Sequence, residues 1–156
     1  MANAMYAGSF DPFTNGHLSI IKKASKIFNT VYVAIANNSS KTRKYYVSEM
    51  AIAIEKTLEK EGINNVKVVA CDKMVADLCT IYNCEFIVRG IRNNIDYNYE
   101  ENIAEINKEV NPDVETIYLR ADEKAISSSM VKELFSFKKD VSKYVPDDVL
   151  EVLMKK

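Results

Sequence analysis

The chain has 156 residues, 47% of them hydrophobic, with 21 lysines and arginines against 22 aspartates and glutamates and a formal net charge of −1. That length suits a single domain, expected here over residues 1–156, and the apolar share excludes general disorder. The charge balance excludes a broadly basic nucleic-acid-binding surface, no apolar run approaches the ~18 residues of a membrane span, and no signal-peptide pattern opens the chain.

In chain order, residues 4–7 form a short apolar run, read as a first strand. Residues 8–17, Gly-Ser-Phe-Asp-Pro-Phe-Thr-Asn-Gly-His, read as a glycine turn entering a helix, because Ile20, Ile21, Ala24, Ile27 and Phe28 recur at helical spacing. Residues 30–36 are a β-branched run, strand two. A helix is expected over 48–61, with Ser48 as its cap and Gly62 as its stop. Strand three covers 65–70, a short helix 74–82, and strand four 85–89. A helix over 96–110 closes at Asn111-Pro112, strand five covers 114–120, and a helix covers 127–137. Pro146-Asp147-Asp148 opens a last helix ending in Lys155-Lys156.

This alternation predicts an α/β fold: a Rossmann-like, doubly wound, five-stranded parallel sheet with helices on both faces and right-handed crossovers. Ligands of such sheets sit beyond the carboxyl ends of the strands, where the winding reverses. The unusual polar residues do cluster there, at 8–17, 37–44, 71–73, 89–92 and 120–129. Cys71, Cys79 and Cys84 are odd in number and lack C-x-x-C spacing, and His17 is the only histidine. Disulfides and a zinc site are therefore not expected, Cys79 and Cys84 read as small apolar residues, and a reducing cytoplasm fits.

His17 falls in the first turn of the first helix, where unpaired N–H groups favour anions. Gly8 and Gly16 would admit a bulky ligand, and Pro12 stiffens the turn. The chemistry suggested is phosphate handling with His17 as donor; the alternative is a chance turn with a capping histidine. Arg89-Gly90-Ile91-Arg92 reads as a phosphate clamp, since arginine binds phosphate with a planar fork, or else as two arginines paired with Asp96, Glu100 or Glu101. Lys41, Arg43 and Lys44 share a polar loop that could simply be solvated. Ser127, Ser128 and Ser129 open a helix, as a cap or as an anion cradle.

The string Thr14-x-Gly16-His17 resembles the (H/T)xGH motif of the nucleotidylyltransferase superfamily, and the ten-residue string from Gly8 to His17 resembles the phosphopantetheine adenylyltransferases. Arg-Gly-x-Arg at 89–92, Ser40-Lys41, Asp96-Tyr97-Asn98-Tyr99-Glu100 and Ile126-Ser127-Ser128-Ser129-Met130-Val131-Lys132 match the same family, so the likeness runs from about residue 4 to residue 146. The resemblance implies transfer of the adenylyl group of ATP to 4′-phosphopantetheine, giving dephospho-coenzyme A and pyrophosphate. It assigns transition-state stabilisation to His17, with Lys41 and Arg92 offsetting charge. It assigns ATP contacts to Ser9, Phe10, His17, Gly90, Ile91, Arg92, Glu100, Ala125, Ile126, Ser127, Ser128 and Ser129. Acceptor contacts fall to Ser9, Lys41, Met74, Val75 and Arg89; for Met74 and Val75 the residues alone read as core. It further implies magnesium accompanying ATP, with no protein metal ligands evident, a homohexamer, and coenzyme A as product-like feedback ligand.

The chain departs from the family at Ala7, where proline is usual, at 45–50, where an acidic stretch ending in arginine is usual, and in a shortened 120–125 segment lacking an aromatic residue. Rival readings are a nicotinamide-mononucleotide adenylyltransferase, a cytidylyltransferase, and a non-catalytic nucleotide-binding module. Pyrophosphate release with each acceptor separates them.

Overall fold

The computed structural model describes residues 2–37, 43–91, 94–121 and 126–155, with backbone alone at 94–97, 99 and 100. The first strand shows how the layers divide. In β1 (Asn3–Gly8) successive side chains point to opposite faces. Ala4 and Tyr6 join one buried cluster; Met5 and Ala7 join the other. Both faces are thus covered, which is why β1 reads as a continuous apolar run instead of an alternating one.

The other strands are β2 (Thr30–Ala36), β3 (Val66–Cys71), β4 (Phe86–Ile91) and β5 (Glu115–Arg120). They form one parallel sheet in the order β3-β2-β1-β4-β5. The chain winds outward from β1 through β2 to β3, crosses back to β4 beside β1, and winds outward again to β5. The winding therefore reverses between β1 and β4. Strand four runs two residues further than its β-propensity suggests, because the β4–β5 ladder continues to Ile91 opposite Arg120.

Helix α1 (Asn15–Ile27) buries Leu18, Ile20, Ile21 and Ala24, the i, i+3 spacing of one face. Leu18, Ile20 and Ile21 each contribute about 1.5–3 kcal/mol. Helix α2 (Val47–Lys60) buries Met50, Ala53, Ile54 and Leu58 beside it. Ser48 is not its cap: Tyr46 holds the N-cap position without a side-chain bond. The cause lies upstream, where Tyr45 is buried and its N–H and that of Lys44 donate to Asp11, so the entry to the helix is set before Ser48 is reached. Gly62, at φ +71°, ends the helix in a left-handed turn suited to glycine.

Helix α3 (Val75–Tyr82) contributes Leu78 and Cys79 to the second cluster, with Cys84 just beyond it. Helix α4 (Asn94–Val110) leads to β5. Helices α5 (Ser128–Ser136) and α6 (Asp147–Met154) return to the first face, contributing Val131, Val149, Val152 and Leu153. Among the described residues no helix is long and apolar enough to cross a membrane.

Candidate active site

The site begins as a gap in the sheet. β1 and β2 stay paired to Gly8 and Ile35, but β1 and β4 pair only as far as Tyr6 and Val88. Beyond that point Nη1 of Arg89 donates to the Ala7 carbonyl at 2.6 Å, so a side chain satisfies an acceptor that the ladder abandons. The gap opens into a cavity of about 270 Å³ at the point where the winding reverses. Tyr6 to Phe10 line one side, Arg89, Gly90 and Ile91 the other, and Thr14, Gly16, His17, Ile126, Ser127 and Ser128 surround the mouth. Among the described residues no carboxylate lines it.

His17 is held at three levels. Thr14 caps α1, its Oγ1 accepting from the His17 N–H at 3.3 Å, while the Thr14 N–H donates to Nδ1 of His17 at 2.9 Å. A ring nitrogen accepting from an N–H carries no proton, so the neutral imidazole holds its proton on Nε2. The rings of Phe10, at 4.8 Å and nearly perpendicular, and of Phe13, at 5.5 Å, fix the plane of the imidazole.

Phe10 stands in the left-handed region at φ +46°, which for a bulky residue costs about 1–3 kcal/mol unless the surroundings over-determine it. They do. Its ring is buried against Tyr6 and Phe13 and lies over Gly8, where an added Cβ would meet ring carbons at 3.1 and 3.2 Å. Gly8 therefore makes room for Phe10, and it also lines the cavity. Gly90 is small for a similar reason: a Cβ there would come within 3.2 Å of Ile20 on α1.

Asp11 ties this loop to two other segments. Its carboxylate accepts from the N–H groups of Lys44 and Tyr45, at 3.0 and 2.9 Å, and faces Nζ of Lys132 on α5 at 3.5 Å. Ser128 adds a second tie, its Oγ donating to the Pro12 carbonyl at 2.6 Å. The loops after β1 and β2 and the start of α5 are thus one connected unit. Arg43 belongs to it. Its Nε donates to the Tyr45 carbonyl at 2.9 Å, and its Nη1 to the carbonyls of Ser9 and, at 3.2 Å, Ala36. Its Nη2 is buried without a hydrogen-bond partner, 3.9 Å from Asp11. Burial pulls the Arg43 pKa below its ordinary value, and Asp11 opposes the shift. Burial, with Asp11 adding to it, pushes the Tyr45 phenol up, and the Tyr45 hydroxyl too is buried with no partner.

Of the sequence-predicted residues, Ser9, Phe10, His17, Arg89, Gly90, Ile91, Ile126, Ser127 and Ser128 meet around one cavity. Ser127 is the N-cap of α5, accepting from the Met130 N–H at 3.1 Å, and the Ser128 hydroxyl is engaged by Pro12. What this turn presents to an anion is therefore its first-turn N–H groups more than its hydroxyls. Ser129 is not among the lining residues. Nor are Met74 and Val75: Met74 is exposed at the N-cap of α3, and Val75 packs on the second cluster. Lys41, Arg92 and Ala125 lie outside the described residues, as does the side chain of Glu100.

Sequence reasoning missed Asp11, Phe13 and Arg43. An acid that is the one carboxylate between Gly8 and His17 is a signal for the first. The other two have none, because their partners are distant in the chain. The thiols of Cys79 and Cys84, pushed by burial to about 12 and about 11, are packing groups and not nucleophiles. Among the described residues no cluster of three or more His, Cys, Asp or Glu could hold a metal ion.

A doubly wound sheet, a gap at its reversal point and an Nε2-protonated histidine at a helix start together define a nucleotidyltransferase-type domain. In keeping with this, residues 5–134 match the cytidylyltransferase-like family model. Phosphopantetheine adenylyltransferase of Vesicomyosocius okutanii is 37% identical over 152 residues, covering 96% of this chain and 95% of its own. That of Lacticaseibacillus paracasei is 40% identical over 157 residues, covering 98% and 92%, and that of Streptococcus pneumoniae strain CGSP14 is 41% identical over 150, covering 94% and 91%. A crystal structure from Vibrio parahaemolyticus, provisionally assigned as a nicotinate-nucleotide adenylyltransferase, shares the fold with a TM-score of 0.73 over 99% of both chains at 18% identity. The chain belongs to the phosphopantetheine adenylyltransferase family within the cytidylyltransferase-like class.

Proposed function

We propose that this protein transfers the adenylyl group of ATP to 4′-phosphopantetheine, releasing pyrophosphate and dephospho-coenzyme A. An acceptor phosphate oxygen attacks the α-phosphorus in line; the new P–O bond forms as the bond to the β-phosphate oxygen breaks, and pyrophosphate leaves. The nucleophile is already anionic, so catalysis needs positioning and charge neutralisation more than a strong base.

The observation that carries this reading is the Thr14 N–H on Nδ1 of His17. It commits Nε2 as a donor, the role that an α-phosphate oxygen needs as charge builds there. Arg89, on the facing wall of the gap, is suited to the acceptor phosphate. Backbone N–H groups of the Ser9–Phe10 and Ser127–Ser128 segments suit the phosphates of ATP. Lys41 and Arg92 take the charge-offsetting roles, and Gly90, Ile91, Glu100 and Ala125 the ATP contacts, that the family pattern assigns. Among the described residues the cavity wall offers no carboxylate, so magnesium fits as an ion carried on ATP and held by phosphate oxygens and water. Hexameric assembly, binding of coenzyme A or the product, and a cytoplasmic setting belong to the same proposal. The last is supported by three free, buried cysteines.

The test is release of pyrophosphate from ATP with 4′-phosphopantetheine, with nicotinate or nicotinamide mononucleotide, and with no acceptor. Release dependent on 4′-phosphopantetheine is expected. Release with a mononucleotide alone would replace the reading, and ATP binding without turnover on any acceptor would point to a non-catalytic module.

A further inference from the structure

We propose that Arg43 is a positioning residue for adenylyl transfer: it holds the Ser9–Phe10 peptide with its carbonyl turned out of the cavity and its N–H turned in. This rests on the function proposed above and deepens it.

Arg43 reads from sequence as one of three cations in a solvated loop. In the fold its side chain is only 12% exposed, and it lies outside the cavity wall while Ser9 and Phe10 lie in it. Nη1 donates to the Ser9 carbonyl and to the carbonyl of Ala36, the last residue of β2. Nε donates to Tyr45, at the entry of α2. One rigid fork thus spans the carboxyl ends of β1 and β2 and the start of the next helix. In a trans peptide the carbonyl and the following N–H point in opposite directions. A Ser9 carbonyl fastened to Arg43, on the side away from the cavity, therefore directs the Phe10 N–H toward it.

The peptide needs fastening. It leads into Phe10, whose backbone is in the left-handed region, and a peptide flip there would relieve that conformation and reverse the N–H. The ring of Phe10 is held by its neighbours, but the only side chain among the described residues bonded to the Ser9 carbonyl is that of Arg43. Lysine could supply the charge but not the fork, because three acceptors in three directions require the planar guanidinium. Asp11, facing the same guanidinium, keeps the buried cation compensated.

The experiment compares wild type with R43A and R43K in the pyrophosphate-release assay, with unfolding measured for each and turnover expressed per folded protein. A misaligned transition-state donor lowers kcat and leaves KM nearly unchanged. The expected result for R43A is a fall in kcat between about tenfold and a hundredfold, the cost of small misplacement. KM for ATP and for acceptor should stay within about threefold. R43K should fall between wild type and R43A, and millimolar methylguanidinium should restore part of the R43A rate. Should R43A not fold, R43K carries the same comparison. A kcat per folded protein within about twofold of wild type overturns the proposal, as does a loss confined to KM. A wild type that releases no pyrophosphate overturns the functional reading; an active wild type indifferent to Arg43 overturns only this one.

Discussion

Two cavities border α1, and the larger is not the candidate site. It measures about 500 Å³ and is lined by Lys22, Lys60, Glu61, Asp147 and Asp148 among others. Its charges neutralise one another: Lys22 pairs with Glu61, and Lys60 with Asp148 at 3.0 Å. The smaller cavity, about 270 Å³, shares Gly16 and Ile126 with it as a common wall but has no lining carboxylate among the described residues. It holds instead an imidazole with a fixed tautomer and a guanidinium bridging two splayed strands. Volume alone does not choose between them; what separates the two is that lysine–carboxylate pairs line the larger, while the smaller holds the histidine at the start of α1.

The sharpest way to break the contrast is His17→Ala. Turnover should fall about a hundredfold or more, a loss of ~3–4 kcal/mol in transition-state stabilisation, while ATP still binds. Steady-state pyrophosphate release and an ATP titration check this, and near-normal turnover would remove the smaller cavity from contention. Gly8→Ala tests whether the aromatic cage sets that cavity's geometry. The new methyl meets the Phe10 ring at 3.1 Å, so the ring must yield and stability should drop by about 1–3 kcal/mol, with turnover falling too. Denaturant unfolding alongside the assay measures both; a variant as stable and active as wild type would mean the ring is not held there.

Tyr45→Phe should move stability the other way. Its buried hydroxyl has no partner among the described residues, and deleting it should stabilise the fold by about 1 kcal/mol, read as a rise of ~2–4 °C in Tm. A lower Tm would show that the hydroxyl is satisfied after all. The smallest effect is expected in the larger cavity. Lys22 and Glu61 are 46% and 36% exposed, so Lys22→Ala should cost at most about 1 kcal/mol and leave turnover within about twofold. A large loss of activity there would overturn the comparison.

Much of the site was legible because it is local. The turn from Gly8 to His17 carries its own helix cap, histidine and glycine within ten residues, and polar residues collect after each strand as a doubly wound sheet requires. Phe10 also folds back over Gly8, a contact that turn chemistry does not announce. Met74 and Val75 open α3, and neither is among the residues that line the cavity. Ser127 and Ser128 were recognised as a cap and an anion turn, yet only the fold shows that their hydroxyls are already engaged.

From sequence alone came the alternation of strand and helix, the parallel sheet, and the residue types that handle phosphate, since these depend on periodicity and short-range chemistry. The order of the strands, the early parting of β1 from β4, the buried fork of Arg43 and its partner Asp11 came only with the tertiary structure. They depend on contacts between residues more than thirty positions apart, and nothing in the local pattern says which distant group will be there to accept a hydrogen bond.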